Sequence, residues 1–258
     1  MQIQSSSRRN SVNLTFFSRV VGILCPVAVW VVLSYLVGVP DGYLPPPHAV
    51  AEAFLTIDPS MAVHAAGTAA RVLVGLVAGT FVGLYCGSGM YRSDRVRALL
   101  FPTIQALRAT PTVAVIPFFI LWFGFSELGK FVLLTSFVAV AITIATLQTL
   151  EDMPYNLRLA LKTLGIPKSE LPTSIWRPLA LSTLLPSLRV VLPVAVTTAA
   201  VAELLGAQIG LGYVLQSARS TFAMNNVLAA AIMLALINAT FDYTLVVMWS
   251  RKFRWSLK

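Results

Sequence analysis

Long apolar runs alternate with short polar segments along the whole chain. A helix needs about 20 apolar residues to cross the hydrocarbon core of a bilayer. The pattern therefore predicts an all-α membrane protein with about six transmembrane helices. The predicted spans are Val20–Val39, Ala65–Ser88, Leu99–Phe123, Phe131–Leu150, Leu179–Leu205 and Leu228–Trp249.

Glycine and proline are placed unevenly among these runs. Gly75, Gly79 and Gly83 recur every four residues in the second run, a spacing that lets membrane helices approach closely. The third run contains three prolines, which predict kinks where neighbouring helices or water satisfy the freed carbonyls. These prolines are Pro102, Pro111 and Pro117.

The longest charged interruption is Asp152–Pro178. An acidic residue and a proline at its start, and Gly165 further on, predict a short helix of about three turns. Leu157, Leu161 and Leu164 give this helix one apolar side, so the segment alone also fits an amphipathic helix on the membrane surface. We expect a second helix to begin at or near Pro172.

The other polar segments are assigned to the two sides of the membrane. Pro40–His64 contains no Lys or Arg and is predicted to lie outside, with a short helix at Ala49–Leu55. Gly206–Asn226, rich in glycine and polar residues, is a second predicted outer segment. His48 and His64 are expected to be solvated surface residues.

Composition supports a membrane protein. The 258 residues are 57% hydrophobic and 11% charged, whereas about a quarter of residues are charged in soluble domains. Six spans leave no room for a separate soluble domain. The net charge is +9, but the basic residues are not clustered in a segment that could form a nucleic-acid-binding module. Cys25 and Cys86 lie within apolar runs and are expected to be small buried hydrophobes.

Basic residues are concentrated in alternate polar segments. They are frequent in the tail 1–19, the loop Tyr91–Arg97, the loop 152–178 and the tail 250–258. By the positive-inside rule, these segments are cytoplasmic. The expected organisation is a transmembrane domain at 20–249 with both termini in the cytoplasm.

The central charged loop resembles the cytoplasmic signature of ABC-importer permeases. That signature has Glu-Ala-Ala, then Gly, then Ile-x-Leu-Pro at fixed spacing. Four positions match in register, whereas Leu159, Leu161 and Arg177 replace the family's Glu, Ala and Leu. The matching residues are Ala160, Gly165, Ile175 and Pro178.

Further stretches are similar to permeases of the sulfonate, taurine, nitrate and bicarbonate group, and they occur in the family's order. They are Leu44–Pro47, Arg71–Gly75, Arg108–Pro117 with Trp122–Gly124, Leu188-Arg189, Ala202–Gly206 and Gly210–Tyr213.

The resemblance implies a type I importer permease in which residues 152–178 form the coupling loop. Leu159, Ala160, Leu161, Gly165, Ile175 and Pro178 would contact the ATPase. The implied partners are a cytoplasmic ATP-binding subunit, an external substrate-binding protein and a second permease copy, surrounded by membrane lipid. ATP and magnesium would be bound by the partner, and the chain itself would carry no cofactor or metal. The implied substrate is a small anion, a sulfonate such as taurine first, with nitrate, bicarbonate and vitamin precursors as alternatives.

Charged residues within the predicted spans are the candidates for a substrate pathway. Each costs at least about 2.5 kcal/mol on insertion scales, so it needs a partner or a water-lined cavity. The arginines could bind an anion, or could pair with the two carboxylates or reach the interface. Glu203 could hold a gate or cap a re-entrant turn. The candidates are Arg71, Arg108, Arg189, Glu203 and Asp242.

A rival hypothesis is a secondary transporter coupled to protons through Glu203 or Asp242. It predicts inverted repeats, for which the sequence gives no convincing signal, and it leaves the charged loop unexplained. The sequence contains neither a G-x-x-x-x-G-K-[ST] phosphate loop nor a catalytic constellation. We therefore predict that the chain is not an enzyme and depends on a separate ATPase.

Overall fold

The computed structural model describes residues 22, 24–56, 61–171, 173–204 and 206–252. This part of the chain consists of helices and their connections. Predictions for the tail 1–19, Val20, Pro172, Leu205 and residues 253–258 fall outside it. The helices are α1 (Leu24–Leu36), α2 (Pro47–Thr56), α3 (Met61–Arg92), α4 (Asp94–Ala109), α5 (Thr112–Phe123), α6 (Glu127–Glu151), α7 (Tyr155–Thr163), α8 (Thr173–Leu204), α9 (Leu211–Ser220) and α10 (Met224–Lys252).

Four of the described helices are long and apolar enough to cross a membrane: α3, α6, α8 and α10. A fifth crossing results if α4 and α5 count as one span. The all-helical prediction is confirmed, but the count is lower than the predicted six. The first predicted span is represented by the shorter helix α1, because its beginning lies outside the described residues.

α3 and α6 pack side by side through the glycines of α3. A Cβ atom placed on Gly75, Gly79 or Gly83 would lie 2.5–2.7 Å from the Cβ of Leu134, Val138 and Ile142 respectively. Real Cβ atoms do not approach so closely, so only glycine allows this contact. The contacting residues advance by four along both helices in the same direction, so α3 and α6 are parallel. The predicted packing role of these glycines is confirmed.

The third predicted span is not one helix. α4 and α5 meet at an angle of 108°. Pro111 restricts the residue before it to extended backbone, and Thr110 has φ −81° and ψ 125°. Pro102 and Pro117 lie inside α4 and α5 without breaking them, so the expectation of kinks within one span is corrected to a single sharp break. Because α3 and α6 are parallel, α4 and α5 together return the chain to the side where α6 begins.

α8 lies against α3 and α6 and completes the main core. Val72, Leu134 and Leu192 are buried there, and Phe241 of α10 packs on the same cluster. Near the C-terminal end of α6, the hydroxyl of Thr149 lies 2.6 Å from that of Thr183 in the first half of α8. We call this side of the bundle the loop end, because it also holds α7.

At the loop end, α7 confirms the predicted short helix and Gly165 has the positive φ, +70°, that ends it. One expectation is corrected: Leu161 is buried, but Leu164 is 72% exposed because the helix stops at Thr163. The expected second helix is confirmed, since α8 begins at Thr173. Ile175 and Pro178 of the predicted loop belong to it.

Among the described residues, those up to Thr56 and Ser217–Ala229 form one compact unit, and those of 61–216 and 230–252 form another. In the first unit, Trp30 Nε1 donates to the carbonyl of Pro45 at 3.0 Å, and the Tyr35 hydroxyl lies 2.6 Å from His48 Nδ1. The predicted outer segment Gly206–Asn226 contains α9 and the start of α10.

Candidate functional site

Four charged residues meet at the end of the bundle opposite the loop end, and we call them the Arg71 cluster. Arg71 Nη1 lies 2.7 Å from Glu203 Oε1, and its Nε lies 2.6 Å from Glu127 Oε2. Lys130 Nζ binds the other oxygen of Glu127 at 2.8 Å. Two cations thus neutralise two carboxylates across α3, α6 and α8.

The Glu203 side chain is fully buried and joins α8 to the start of α9. Its Oε2 accepts hydrogen bonds from Thr68 Oγ1 at 2.8 Å and from the backbone N–H of Gly212 at 3.0 Å. Gly210 has φ +139°, and a side chain there would collide with the carboxylate. These contacts fit the turn-capping role considered for Glu203, and the gating role stays a prediction.

His64 belongs to the same region, which corrects the expectation of a solvated surface histidine. It is fully buried; its Nδ1 accepts from the N–H of Gly210 at 3.1 Å, and its ring stacks on Tyr213. The reason is that α3 begins at Met61, earlier than the predicted Ala65, and so carries His64 in its first turn. His48, in contrast, is exposed as predicted.

Arg189 and Asp242 form a second neutral pair, between α8 and α10. Two guanidinium nitrogens bind the two carboxylate oxygens at 2.6 and 2.9 Å. This bidentate geometry is the strong form of the interaction. Arg71 and Arg189 are therefore each paired with a carboxylate, which is one of the alternatives that the sequence left open for them.

Arg108 differs from both. It is exposed near the end of α4, and none of the described residues forms an ion pair or a hydrogen bond with its guanidinium. It lines a cavity of about 220 Å³ at the junction of α4 and α5, which we call the bend cavity. The remaining walls come from α6 and α8, chiefly Leu134, Phe137, Val138, Val191, Val194 and Ala195.

Three threonines add hydroxyl groups to the bend cavity. Thr110 donates its proton to the carbonyl of Ala106 at 2.9 Å. The hydroxyls of Thr112 and Thr198 make no hydrogen bond within the described chain, although Thr198 is only 4% exposed. The sequence analysis missed these residues, because uncharged threonines in an apolar run give no signal until the bend brings them together.

The sequence analysis also missed Glu127 and Lys130. Glu127 opens α6 after Ser126, whose side chain accepts from the N–H of Gly129 at 3.2 Å. A serine followed directly by an acidic residue is a helix-start signal that could have drawn attention to Glu127, and Lys130 lies three positions further along the helix. The Lys130 side chain is nearly buried and held by Glu127.

At the loop end, α7 is anchored on one side and exposed on the other. Leu161 is buried with Leu150 and Met153, and Arg158 donates to the carbonyl of Met153 at 3.2 Å. An ion pair between Arg97 and Glu151 ties α4 to α6 nearby. The outward side carries three apolar side chains that we call the loop ridge: Tyr155 (74% exposed), Leu159 (48%) and Leu164 (72%).

Comparison with known proteins agrees with this architecture. Residues 79–252 match the family described as binding-protein-dependent transport system inner membrane component. The chain belongs to this family. The permease is therefore an inner-membrane protein, and the resemblance seen in its loop and span motifs is confirmed.

Individual relatives cover most of the permease. It is 30% identical to the taurine transport system permease protein of Escherichia coli over 82% of this chain and 79% of that protein. It is 29% identical to a putative aliphatic sulfonates transport permease of Bacillus subtilis, over 91% and 87%. A formylaminopyrimidine transport permease of Halalkalibacterium halodurans is 28% identical, over 82% and 84%.

Proposed function

We propose that this permease is the membrane subunit of an ATP-driven, binding-protein-dependent importer for a small sulfonate such as taurine or an alkanesulfonate. The observation that carries the proposal is the loop ridge. Three large apolar side chains are exposed on and just after a short helix between two spans, next to Gly165 with its positive φ. Such a patch is typical of a protein-docking surface. The substrate class is supported by the printed functions of the taurine and aliphatic sulfonate relatives.

In this proposal the ridge contacts a cytoplasmic ATP-binding subunit. Leu159 and Ala160 are exposed on α7, whereas Leu161, Ile175 and Pro178 hold the loop on the bundle. The loop end carries many basic residues, including Arg92, Arg95, Arg158, Lys162 and Lys168. By the positive-inside rule this end faces the cytoplasm, as do both termini.

The remaining partners are an external binding protein that delivers the substrate and a second permease copy, most simply an identical one. The Arg71 cluster would then face the external side, near the point of delivery. ATP and magnesium would be bound by the ATP-binding subunit.

Two alternatives differ in what supports them. Import of a heterocyclic vitamin precursor is favoured by the formylaminopyrimidine relative. Proton-coupled transport through Glu203 or Asp242 is disfavoured, because each carboxylate is bound by an arginine at 2.6–2.7 Å.

The proposal is tested by purifying the tagged permease from its native host in mild detergent and identifying the proteins that accompany it by mass spectrometry. We expect an ATP-binding subunit in near-equal amount, and taurine uptake by the reconstituted complex only with ATP and the binding protein. A permease purified without an ATPase, and still transporting under a proton gradient, would contradict it.

Coupling through α7 is tested by Gly165→Val. Valine disfavours the φ of +70° at this position, so the end of α7 must change shape. We expect stimulation of ATP hydrolysis by the loaded binding protein to be largely lost. Gly42→Val is the matched control, because Gly42 is also in a loop with open space around it but lacks a positive φ. Normal stimulation in Gly165→Val would exclude this role for the loop.

A further inference from the structure

We infer that the bend cavity is a binding subsite for the negatively charged head of the transported anion, with Arg108 as its counter-charge and Thr112 and Thr198 as hydroxyl donors. This inference rests on the proposed import of an anion and assigns that anion a place within the membrane domain. The substrate class is a small oxyanion with a sulfonate or carboxylate group.

The first support is the isolation of Arg108. The other two arginines placed within the spans, Arg71 and Arg189, are each bound by a carboxylate. No described residue neutralises Arg108, although a charge at this depth is expensive unless it faces a partner or a water-filled cavity. An anion in transit supplies the missing partner for part of the transport cycle.

The second support is the depth of the cavity. Phe137, Val138 and Ala141 line it and lie at the middle of the 25-residue α6. Arg108 is also fourteen residues beyond the start of the 16-residue α4, or about 21 Å at 1.5 Å per residue. The cavity therefore lies at the depth of the membrane, where a charged side chain is a candidate for a role in transport.

The third support is the set of donors that converge there. Thr198 is almost completely buried, lines the cavity and keeps its hydroxyl free of any described partner. Thr112 opens α5 after Pro111, which provides no side-chain cap. The first N–H groups of a helix are unpaired and carry partial positive charge, which also favours an anion.

The size of the cavity fits a small ligand. Its volume of about 220 Å³ is below the roughly 300–1,000 Å³ of pockets for drug-sized molecules. A neighbouring groove of about 320 Å³ shares Thr112, Val194 and Thr198 with it. The two cavities therefore adjoin each other along α5 and α8, and Thr112 and Thr198 line both of them.

The test uses the complex of permease, ATP-binding subunit and binding protein in proteoliposomes, with radiolabelled taurine and ethanesulfonate as probes. We expect Arg108→Gln to lower the uptake of both at least about tenfold, because a charge-assisted hydrogen bond is lost. Arg108→Lys keeps the charge and should retain an intermediate rate. Thr198→Val, of nearly equal volume, should lower uptake by a smaller factor of about three or more.

The controls separate a lost site from a lost fold. Arg95→Gln removes an exposed arginine from the same helix, and Thr240→Val removes an exposed hydroxyl from α10; both should transport as the wild type does. All variants should co-purify with the ATP-binding subunit. Wild-type uptake by both Arg108→Gln and Thr198→Val would overturn the inference while leaving the importer intact. A wild-type complex that imports neither probe would contradict the proposed substrate and this site together.

Discussion

The Arg71 cluster and the bend cavity place the same residue type in opposite situations. Arg71 is shared between the buried Glu203 and the exposed Glu127, with Lys130 completing a neutral group. Arg108 lies at the break between α4 and α5 with only threonines and apolar side chains around the cavity. The charge of Arg71 is neutralised by carboxylates and joins helices, whereas the charge of Arg108 is not neutralised by a described residue and is available to bind an anion.

The two regions also differ in how their parts are fixed. Glu203 is tied to α3 and to the start of α9 by Arg71, Thr68 and the backbone of Gly212. The walls of the bend cavity come from four helices, and the Arg108 guanidinium forms no ion pair or hydrogen bond with any described residue of them. We therefore expect substitutions in the Arg71 cluster to change stability and those in the bend cavity to change transport.

The largest effect is expected for Arg71→Met. It leaves the buried Glu203 carboxylate without its cation, and breaking such a pair costs about 3–5 kcal/mol. Thermal unfolding of the purified permease in detergent should show a clear loss of stability. Arg108→Met, the matched change, should leave the unfolding temperature nearly unchanged.

A double variant refines this prediction. Arg71→Met combined with Glu203→Leu removes both charges and should recover part of the lost stability, because no unpaired buried charge remains. Equal destabilisation by Arg71→Met and Arg108→Met would remove the distinction between the two regions.

The next effect concerns the α3–α6 contact, which keeps Arg71 opposite Glu127. Gly79→Ala places a Cβ 2.5 Å from that of Val138, and such overpacking costs about 1–3 kcal/mol. The control is Gly89→Ala on the same helix, where the nearest atom would be 3.8 Å away. Unfolding temperatures that agree for the two variants would show that α3 and α6 are not held this closely.

The smallest effect is expected at the Arg189–Asp242 pair, which is neutral like the Arg71 cluster but more exposed. Asp242→Asn should lower the amount of folded permease in the membrane, because Arg189 then lacks a partner. Exchanging the two, with Arg189→Asp and Asp242→Arg together, should restore it, as measured by the detergent-soluble monodisperse fraction. Failure of the exchange, with no loss in the single variant, would mean that the pair is dispensable.

Much of the fold follows from local sequence signals. Apolar runs predicted the positions of α3, α6, α8 and α10, and the glycine spacing predicted the closest helix contact. Asp152, Pro154 and Gly165 predicted α7 because helix starts and stops depend on a few adjacent residues. The 108° break was not predicted, since a proline in an apolar run is compatible with a mild kink or with a full reversal.

The site was only partly predictable for a related reason. Charges in apolar runs stand out in a sequence, so Arg71, Arg108, Arg189, Glu203 and Asp242 were found and their mutual pairing was one alternative, but which arginine meets which carboxylate was not predictable. Glu203 and Arg71 are 132 positions apart, and only the tertiary packing of α3 against α8 brings them together. Thr198 and His64 carry no obvious signal, and their importance depends on the cavity and the turn beside them.

The most direct test of the distinction is the effect of a small sulfonate on the unfolding temperature of the purified permease complex. A ligand that binds the folded state raises its stability according to its concentration relative to Kd. We predict that ethanesulfonate raises the unfolding temperature of the wild type and of the Thr240→Val control. In Arg108→Gln, ethanesulfonate should no longer raise the unfolding temperature, although without ethanesulfonate this variant should unfold at the same temperature as the wild type. An equal increase in wild type and Arg108→Gln would contradict the account, because the anion would then bind without the arginine that lines the bend cavity.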